Sequence, residues 1–255
     1  WTRDHGPAFV QRIRRGRIET AIVDWGFNAW GGKYPPWTDD DAVPTKVAGE
    51  LGLPVFNADI VMEGGAVDFN GEGTVLTTTS CLLNRNRNPG LKKAAIEKYL
   101  KDYYGQRHVV WLGEGIAGDD TDGHVDDLAR FIDPRTIVTA VEADPRDENF
   151  KVLHENRRRL NRARDAAGRP FEIIELPMPR PVVHEGMRLP ATYVNFYFVN
   201  GALLVPTFGD RERDSAALRI LRSAMPGRKV VGVDCRALIW GLGAIHCLTQ
   251  QQPLG

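Results

Sequence analysis

Short apolar-rich runs alternate with polar turns along this chain, and their two periods predict its elements. Residues 8–13 and 17–24 alternate about the turn at Arg14 to Gly16 and predict a hairpin. Residues 66–69 and 74–78 flank Asn70-Gly71, a dipeptide suited to the left-handed positions of a tight turn. Two further hairpins are expected, at 128–132 with 136–141 about Asp133-Pro134, and at 193–199 with 202–205 about Asn200-Gly201. Helical periodicity follows three of them, at 91–104, 147–166 and 210–224, with a weaker helix at 41–51. Strand-like runs at 54–56, 108–111, 171–176 and 229–233 come after the helices. The unit is therefore hairpin, helix, strand, repeated at roughly 60 residues. Such a pattern predicts an α/β fold of radially arranged modules, which would bring residues from separate modules to one central mouth.

Composition narrows the classes. At 255 residues, 42% hydrophobic and 26% charged, the chain can bury a full core. Lys plus Arg and Asp plus Glu both total 33, so no net field attracts nucleic acid or an anionic membrane. Arg157, Arg158, Arg159, Arg162 and Arg164 read as a solvated helix face among acidic neighbours. No apolar run approaches the roughly 20 residues of a membrane span. Cys81, Cys235 and Cys247 lack metal-type spacing and cannot all pair, which points to a reducing, cytoplasmic compartment. The first residue is Trp1 and not Met, inside a motif that looks catalytic, so sequence upstream is expected to be missing.

The chemistry-bearing residues fall on three strand-like segments far apart in sequence: residues 1–4, 120–127 and 245–247. A lone Cys is ordinarily a small buried hydrophobe. Cys247, however, follows Gly241-Leu242-Gly243-Ala244, small residues that let a ligand approach, and precedes Gln250, Gln251 and Gln252. It is the candidate nucleophile, and Cys81 and Cys235 are read as structural. In an extended segment His124 and Asp126 point to one side, with Asp120 and Asp122 on the same alternation. That suits a proton shuttle beside a cation anchor. An acidic loop or a metal site is the competing reading, but the spacing matches neither an EF-hand nor a paired-His zinc site. Asp4 is either a turn residue capping its own backbone or a second carboxylate, and Trp1 is either core or a cation–π platform. The Glu63-Gly64-Gly65 run is too common to carry weight by itself. A thiol, an imidazole and two carboxylates together suit a hydrolase acting on a guanidinium.

Six segments taken together resemble the agmatine deiminase and bacterial-type peptidylarginine deiminase family of the guanidino-group-modifying superfamily. They are residues 1–7, 27–34, 63–65, 81–89, 122–126 and 245–251, and they run in the expected order from end to end. The resemblance implies a five-bladed α/β propeller, a single catalytic domain over 1–255, and a missing N-terminal portion. It implies Cys247 as nucleophile, His124 as general acid/base, Asp4 and Asp126 as the guanidinium clamp, and Trp1 at the pocket. Asp120 stands where agmatine deiminases often carry Glu and is a further substrate-binding candidate. Leu242 and Ala244 depart from a run of glycines and an Asn common in the family. The implied reaction converts agmatine to N-carbamoylputrescine and ammonia through a Cys-bound amidino intermediate, with no metal or organic cofactor. Arginine or peptidylarginine deimination, amidino transfer, and a non-catalytic guanidine- or polyamine-binding role are the alternatives. The expected partner is a small guanidine, with neither nucleic acid nor membrane, and the expected assembly is a homodimer.

Overall fold

Strands β1 (Ala8–Arg14) and β2 (Arg17–Gly26) form an antiparallel hairpin closed by Arg15 and Gly16 at φ 50° and 75°. The helix Val43–Leu51 then returns the chain so that β3 (Val55–Val61) lies parallel to β2. A parallel neighbour requires such a crossover, and the helix supplies it. The computed structural model describes residues 1–254, and these form four modules of this kind. The second comprises β4 (Asp68–Phe69), β5 (Thr74–Thr78), the helix Lys93–Tyr104 and β6 (His108–Leu112). The third comprises β7 (Ala129–Asp133), β8 (Thr136–Val141), the helix Asn149–Arg162 and β9 (Glu172–Pro177).

A small hairpin of β10 (Val183–His184) and β11 (Met187–Arg188) precedes the fourth module. That module comprises β12 (Tyr197–Val199), β13 (Ala202–Thr207), the helix Arg211–Ala224 and β14 (Lys229–Asp234). Each module is a separate three-stranded sheet with the second hairpin strand central. The fold is thus α/β, with four modules among the described residues and no closed barrel.

Local chemistry explains the turns. Asn70 Oδ1 accepts from the backbone N–H groups of Glu72 and Thr74 at 2.8 and 2.9 Å, and Gly71 takes φ 75°. Helix stops at Gly52 and Gly105 are left-handed caps at φ 63° and 67°, where a Cβ would be strained. The helices bury one stripe each: Ile96 and Leu100, Leu153 and Leu160, Ala217 and Leu221. One core cluster lies under the first two modules, around Trp25, Met62 and Leu82, and a larger one runs from the second module, at Leu76 and Leu112, through the last two, around Leu128, Leu176 and Phe196. Asp68 joins the second module to the third, accepting from Arg130 Nε at 2.5 Å and from Phe131 N at 2.7 Å. No helix among the described residues is long and apolar enough to cross a membrane.

Two expectations are corrected. Residues 193–196 are not strand, because Asn195 turns its polar groups to His246 and Cys247 and not to a ladder. The three chemistry-bearing segments are not strands either. Thr2–His5 is one helical turn, and Val125–Asp127 and His246–Leu248 are 3₁₀ turns. Period-two alternation therefore does not orient His124 and Asp126; the turn does.

Candidate active site

The first residues are held between two other segments. Thr2 Oγ1 donates to Leu248 O at 2.6 Å, and Arg3 Nε to His246 O at 3.3 Å. On the other side Gly64 packs so closely that a Cβ there would lie 2.1 Å from Arg3 O. This clamping buries Asp4, whose Oδ1 accepts from Gly65 N at 2.9 Å and whose Oδ2 accepts from Trp30 Nε1 at 3.0 Å. Asp4 does not cap its own turn: its side chain ties two distant segments together. Trp30 reaches it from a left-handed turn, with Ala29 and Trp30 at φ 50° and 55°, an uncommon conformation for residues with a Cβ.

His124 ends a loop pinned from two directions. Asn156 Oδ1 accepts from Gly113 N at 2.7 Å, and Asn149 Oδ1 accepts from Ala117 N at 2.7 Å. Thr78 Oγ1 donates to Gly123 O at 2.6 Å, and His124 N donates to Thr121 Oγ1 at 3.1 Å. The buried imidazole places Nδ1 3.6 Å from Asp4 Oδ1 and leaves Nε2 without a hydrogen-bond partner. Asp126, one 3₁₀ turn further on, is fully buried. His246 Nδ1 lies 2.6 Å from Asp126 Oδ2, and Cys247 Sγ lies 3.7 Å from the same oxygen.

Gly65 marks where these groups meet. A Cβ built there would lie 2.5 Å from His124 Nδ1, 2.9 Å from Asp4 Oδ1 and 3.1 Å from Asp126 Oδ2. The small-residue run before Cys247 has a similar explanation. A Cβ on Gly241 would lie 2.5 Å from Trp1 Cζ2, and one on Gly243 would lie 2.9 Å from Trp1 Cζ3 and 3.1 Å from Cys247 Cβ. The indole of Trp1 therefore lies against this run, beside Cys247. Cys247, His124, Asp4, Asp126 and Trp1 are brought together from both ends and the middle of the chain.

Asp120 is placed differently. It accepts from the hydroxyl of exposed Tyr34 at 2.5 Å, which pushes the phenol up to about 12. Asp122 faces cations of the protein: Arg87 NH1 at 2.5 Å and Lys33 Nζ at 3.0 Å, with Asn86 Nδ2 at 2.9 Å. Asp120, Asp122 and His124 thus have three different sets of partners and do not form the metal cluster that their spacing allowed. Two other groups lie close enough to share an ion, Glu63 with Cys81 and His124, and Asp126 with Asp127 and Cys247.

Burial governs the titration of the site. It raises the Asp4 carboxyl above the usual range, and it raises Asp126 to about 8 with Asp4 adding to the effect. Burial lowers both His124 and His246, the latter well below the ordinary imidazole value. The Cys247 thiol is raised by burial and then by Asp126, Asp127 and Asp4. Acids this reluctant to ionise gain most from an incoming cation.

Sequence reasoning missed several contributors. Asn195 donates Nδ2 to Cys247 Sγ at 3.1 Å and to Asp127 Oδ1 at 2.9 Å. His246 was read only as part of a motif, and Trp30 likewise. Glu63 is fully buried and accepts from Arg87 Nε at 2.5 Å. No period or spacing marks these residues, and the two glycines after Glu63, too common to carry weight in the sequence, turn out to mark a close approach. A cavity of about 840 Å³ is lined by Asp4, His246, Arg3, Arg130 and Tyr197 among others. It shares Asp4 and His246 with the cluster, and Cys247, His124 and Trp1 do not line it.

Residues 1–253 match the family model of the Porphyromonas-type peptidyl-arginine deiminase. The chain is 39% identical over 282 residues to agmatine deiminase of Medicago truncatula, covering 99% of this chain and 75% of that protein. Among solved structures it is similar to agmatine deiminase of Enterococcus faecalis, with 37% identity, a TM-score of 0.91, and coverage of 99% and 74%. It is also similar to the agmatine deiminase of C. jejuni with substrate bound, with 39% identity, a TM-score of 0.87, and coverage of 97% and 71%.

Proposed function

This chain belongs to the Porphyromonas-type peptidyl-arginine deiminase family, and from that membership we propose that it hydrolyses agmatine to N-carbamoylputrescine and ammonia. The observation that carries the reading is the convergence of His124, Asp4 and Asp126 on Gly65 beside the Cys247 sulfur. Two carboxylates beside a thiol and an imidazole match a planar cation with an electrophilic carbon.

Asp4 and Asp126 accept N–H bonds from the guanidinium and hold its carbon against Cys247. The substrate charge offsets the mutual repulsion of the two acids and favours the thiolate. The sulfur forms a bond to the guanidinium carbon, and the C–N π pair moves onto nitrogen. His124 then protonates the departing amino group, the C–N bond breaks, and ammonia leaves an amidino-thioether. Next, His124 takes a proton from water as its oxygen bonds to the same carbon. Collapse breaks the S–C bond, returns the thiolate and releases the ureido product. The chemistry is complete with these side chains and water.

Agmatine is favoured over arginine by the state of the nearby cations. An α-carboxylate needs a free Arg or Lys; Arg87 is held by Glu63 and Asp122, while Arg3 gives Nε to His246 O and NH1 to Gln251 Oε1 at 2.8 Å and keeps only its buried NH2 unpaired. The acidic rim residue Asp120 suits the primary ammonium at the other end of agmatine. The remaining expectations belong to the same reading: one catalytic domain, a five-bladed ring of which four modules are described, a cytoplasmic location and a homodimer. Incubation with agmatine, arginine and a peptidyl-arginine in parallel, reading ureido product and ammonia, tests it. Turnover of agmatine fastest by at least tenfold is expected. Preference for either arginine substrate would overturn the assignment.

A further inference from the structure

A second cluster gathers around His124, apart from the carboxylate clamp. Ligand atoms of Glu63, Cys81 and His124 lie within 4.8 Å of one another, and all three residues are buried. Each is carried on a tight turn. Glu63 precedes the 3₁₀ turn Gly64–Ala66, Cys81 lies in the short helix Thr79–Leu82, and His124 precedes Val125–Asp127. Thr78 Oγ1 joins two of these turns, accepting from Cys81 N at 3.2 Å and donating to Gly123 O at 2.6 Å.

Two of the three carry a polar atom that nothing satisfies. Glu63 Oε1 accepts from Arg87 Nε at 2.5 Å, but its buried Oε2 has no partner. His124 places Nδ1 near Asp4, and its buried Nε2 has none. Burying such atoms unpaired is costly, and a cation between them would remove the cost. The charges also fit a dication. Arg87 and Asp122 offset each other at 2.5 Å, so the Glu63 carboxylate and a Cys81 thiolate are left to balance two positive charges. Burial and then the Glu63 charge push the Cys81 thiol up, so sulfur keeps its proton until a cation comes. Burial lowers His124 and so favours the neutral imidazole that a metal requires. One sulfur, one imidazole nitrogen and one carboxylate oxygen, with a fourth position for water, suit zinc and not magnesium or calcium. A tetrahedral zinc holds its ligand atoms roughly 3.5 Å apart, so side-chain shifts of about 1 Å close the site.

We infer that Glu63 Oε2, Cys81 Sγ and His124 Nε2 bind Zn²⁺, and that the bound ion stops turnover by occupying the proton shuttle. As the S–Zn bond forms, the thiol proton passes to water. The Nε2 lone pair goes to the metal while Nδ1 keeps its hydrogen. The imidazole can then neither give nor take a proton through Nε2. The inhibition rests on the deiminase reading; the binding does not.

The test uses Cys247→Ser, which dismantles the other group close enough to share an ion, Asp126 with Asp127 and Cys247. Cys235 belongs to neither group. Equilibrium dialysis against Zn²⁺ should give one ion per chain, and Co²⁺ in its place should show a thiolate-to-metal charge-transfer band in the near ultraviolet. Adding Cys81→Ala should weaken binding at least about tenfold and abolish the band, since even the partners that merely orient a ligand are worth that much. Absence of a stoichiometric ion, or a band that survives the loss of Cys81, overturns the proposal. Should the double variant fail to fold, X-ray absorption of zinc-loaded Cys247→Ser decides. One sulfur at about 2.3 Å is expected, and a shell of nitrogen and oxygen alone refutes the site. Half-inhibition of agmatine turnover should need at least about tenfold more zinc in Cys81→Ala than in wild type, and equal concentrations in both would overturn the inhibitory role. Dialysis and spectra need no turnover, so failure of agmatine deimination and failure of this site are separate results.

Discussion

Asp126 divides its oxygens between scaffold and site: Oδ2 is 2.6 Å from His246 Nδ1, while buried Oδ1 has no hydrogen-bond partner. A buried oxygen without a partner is costly, and a guanidinium N–H would remove that cost. The pair with His246 fixes the carboxyl plane, so Oδ1 points one way before any ligand arrives. The cluster is prepared for a cation and strained without one.

Cys247→Ser should abolish turnover while leaving guanidine binding. A hydroxyl lacks the acidity and polarisability of a thiol, and the loss should exceed about a thousandfold. Steady-state assay beside calorimetric binding of a non-reactive guanidine measures both. More than a tenth of the wild-type rate would rule out covalent catalysis by this residue.

Binding should release a proton. Burial and then the Asp4 charge raise Asp126 to about 8, so below that pH the ligand-free protein holds a proton that the unfolded chain has lost. The folded state then binds more protons than the unfolded one, and this contribution to stability falls as pH rises through about 8. A guanidinium prefers the ionised pair, so its affinity should rise up to about tenfold per pH unit below 8 and then level off. Calorimetry at pH 7 in two buffers of different ionisation heat should show about one proton released per ligand. No release would mean that Asp126 is already ionised.

Strands and long helices were legible in the sequence because their periods repeat over many residues. The helix Lys93–Tyr104 starts and ends within two residues of expectation, since Ile96 and Leu100 set the buried stripe and Gly105 stops it. The site was legible as residue types but not as geometry. His124 and Asp126 were oriented by strand alternation, yet they sit at a 3₁₀ turn, and one-turn elements leave no periodic trace. Asn195 was invisible for a different reason: among Tyr193, Val194 and Phe196 it passes as one more residue of the strand expected over 193–199 until its partners 51 and 52 positions later are known.

Gly65→Ala should disable the site without unfolding the protein. Its methyl would press on the His124 ring at 2.5 Å and on the Asp4 carboxylate at 2.9 Å. Displacements near 1 Å cost about a hundredfold in rate, so kcat/KM should fall at least that much. Melting should be altered far less than activity. Near-normal kinetics would show that the meeting point is not where the guanidinium sits.

Asn156→Ala should act from outside the site. It removes the acceptor for Gly113 N and the donor to Glu114 O at 2.9 Å, leaving backbone groups unpaired beneath the loop that ends at His124. Each buried unpaired group costs about 1–3 kcal/mol, so the melting temperature should drop by several degrees. A reduced kcat with nearly normal KM is expected, because the loop carries the proton shuttle. A lowered melting point with unchanged kcat would restrict Asn156 to scaffold.

The two clamp carboxylates should respond differently to the same substitution. In Asp126→Asn the amide oxygen can still accept from His246, but its NH₂ then faces the guanidinium donors. A charge-assisted bond is worth about 1.5–3 kcal/mol, so binding of a non-reactive guanidine should weaken at least tenfold. Melting at pH 8 should hold at or above wild type, because a buried acid opposed by Asp4 is gone. Asp4→Asn is worse for the scaffold. Both Asp4 oxygens accept a hydrogen bond, from Gly65 N and Trp30 Nε1, so an NH₂ must face one of those donors. Lower melting and weaker binding should appear together. Tight binding retained in Asp126→Asn would leave the clamp to Asp4 alone, and retained binding in both variants would remove the guanidinium from this pocket altogether.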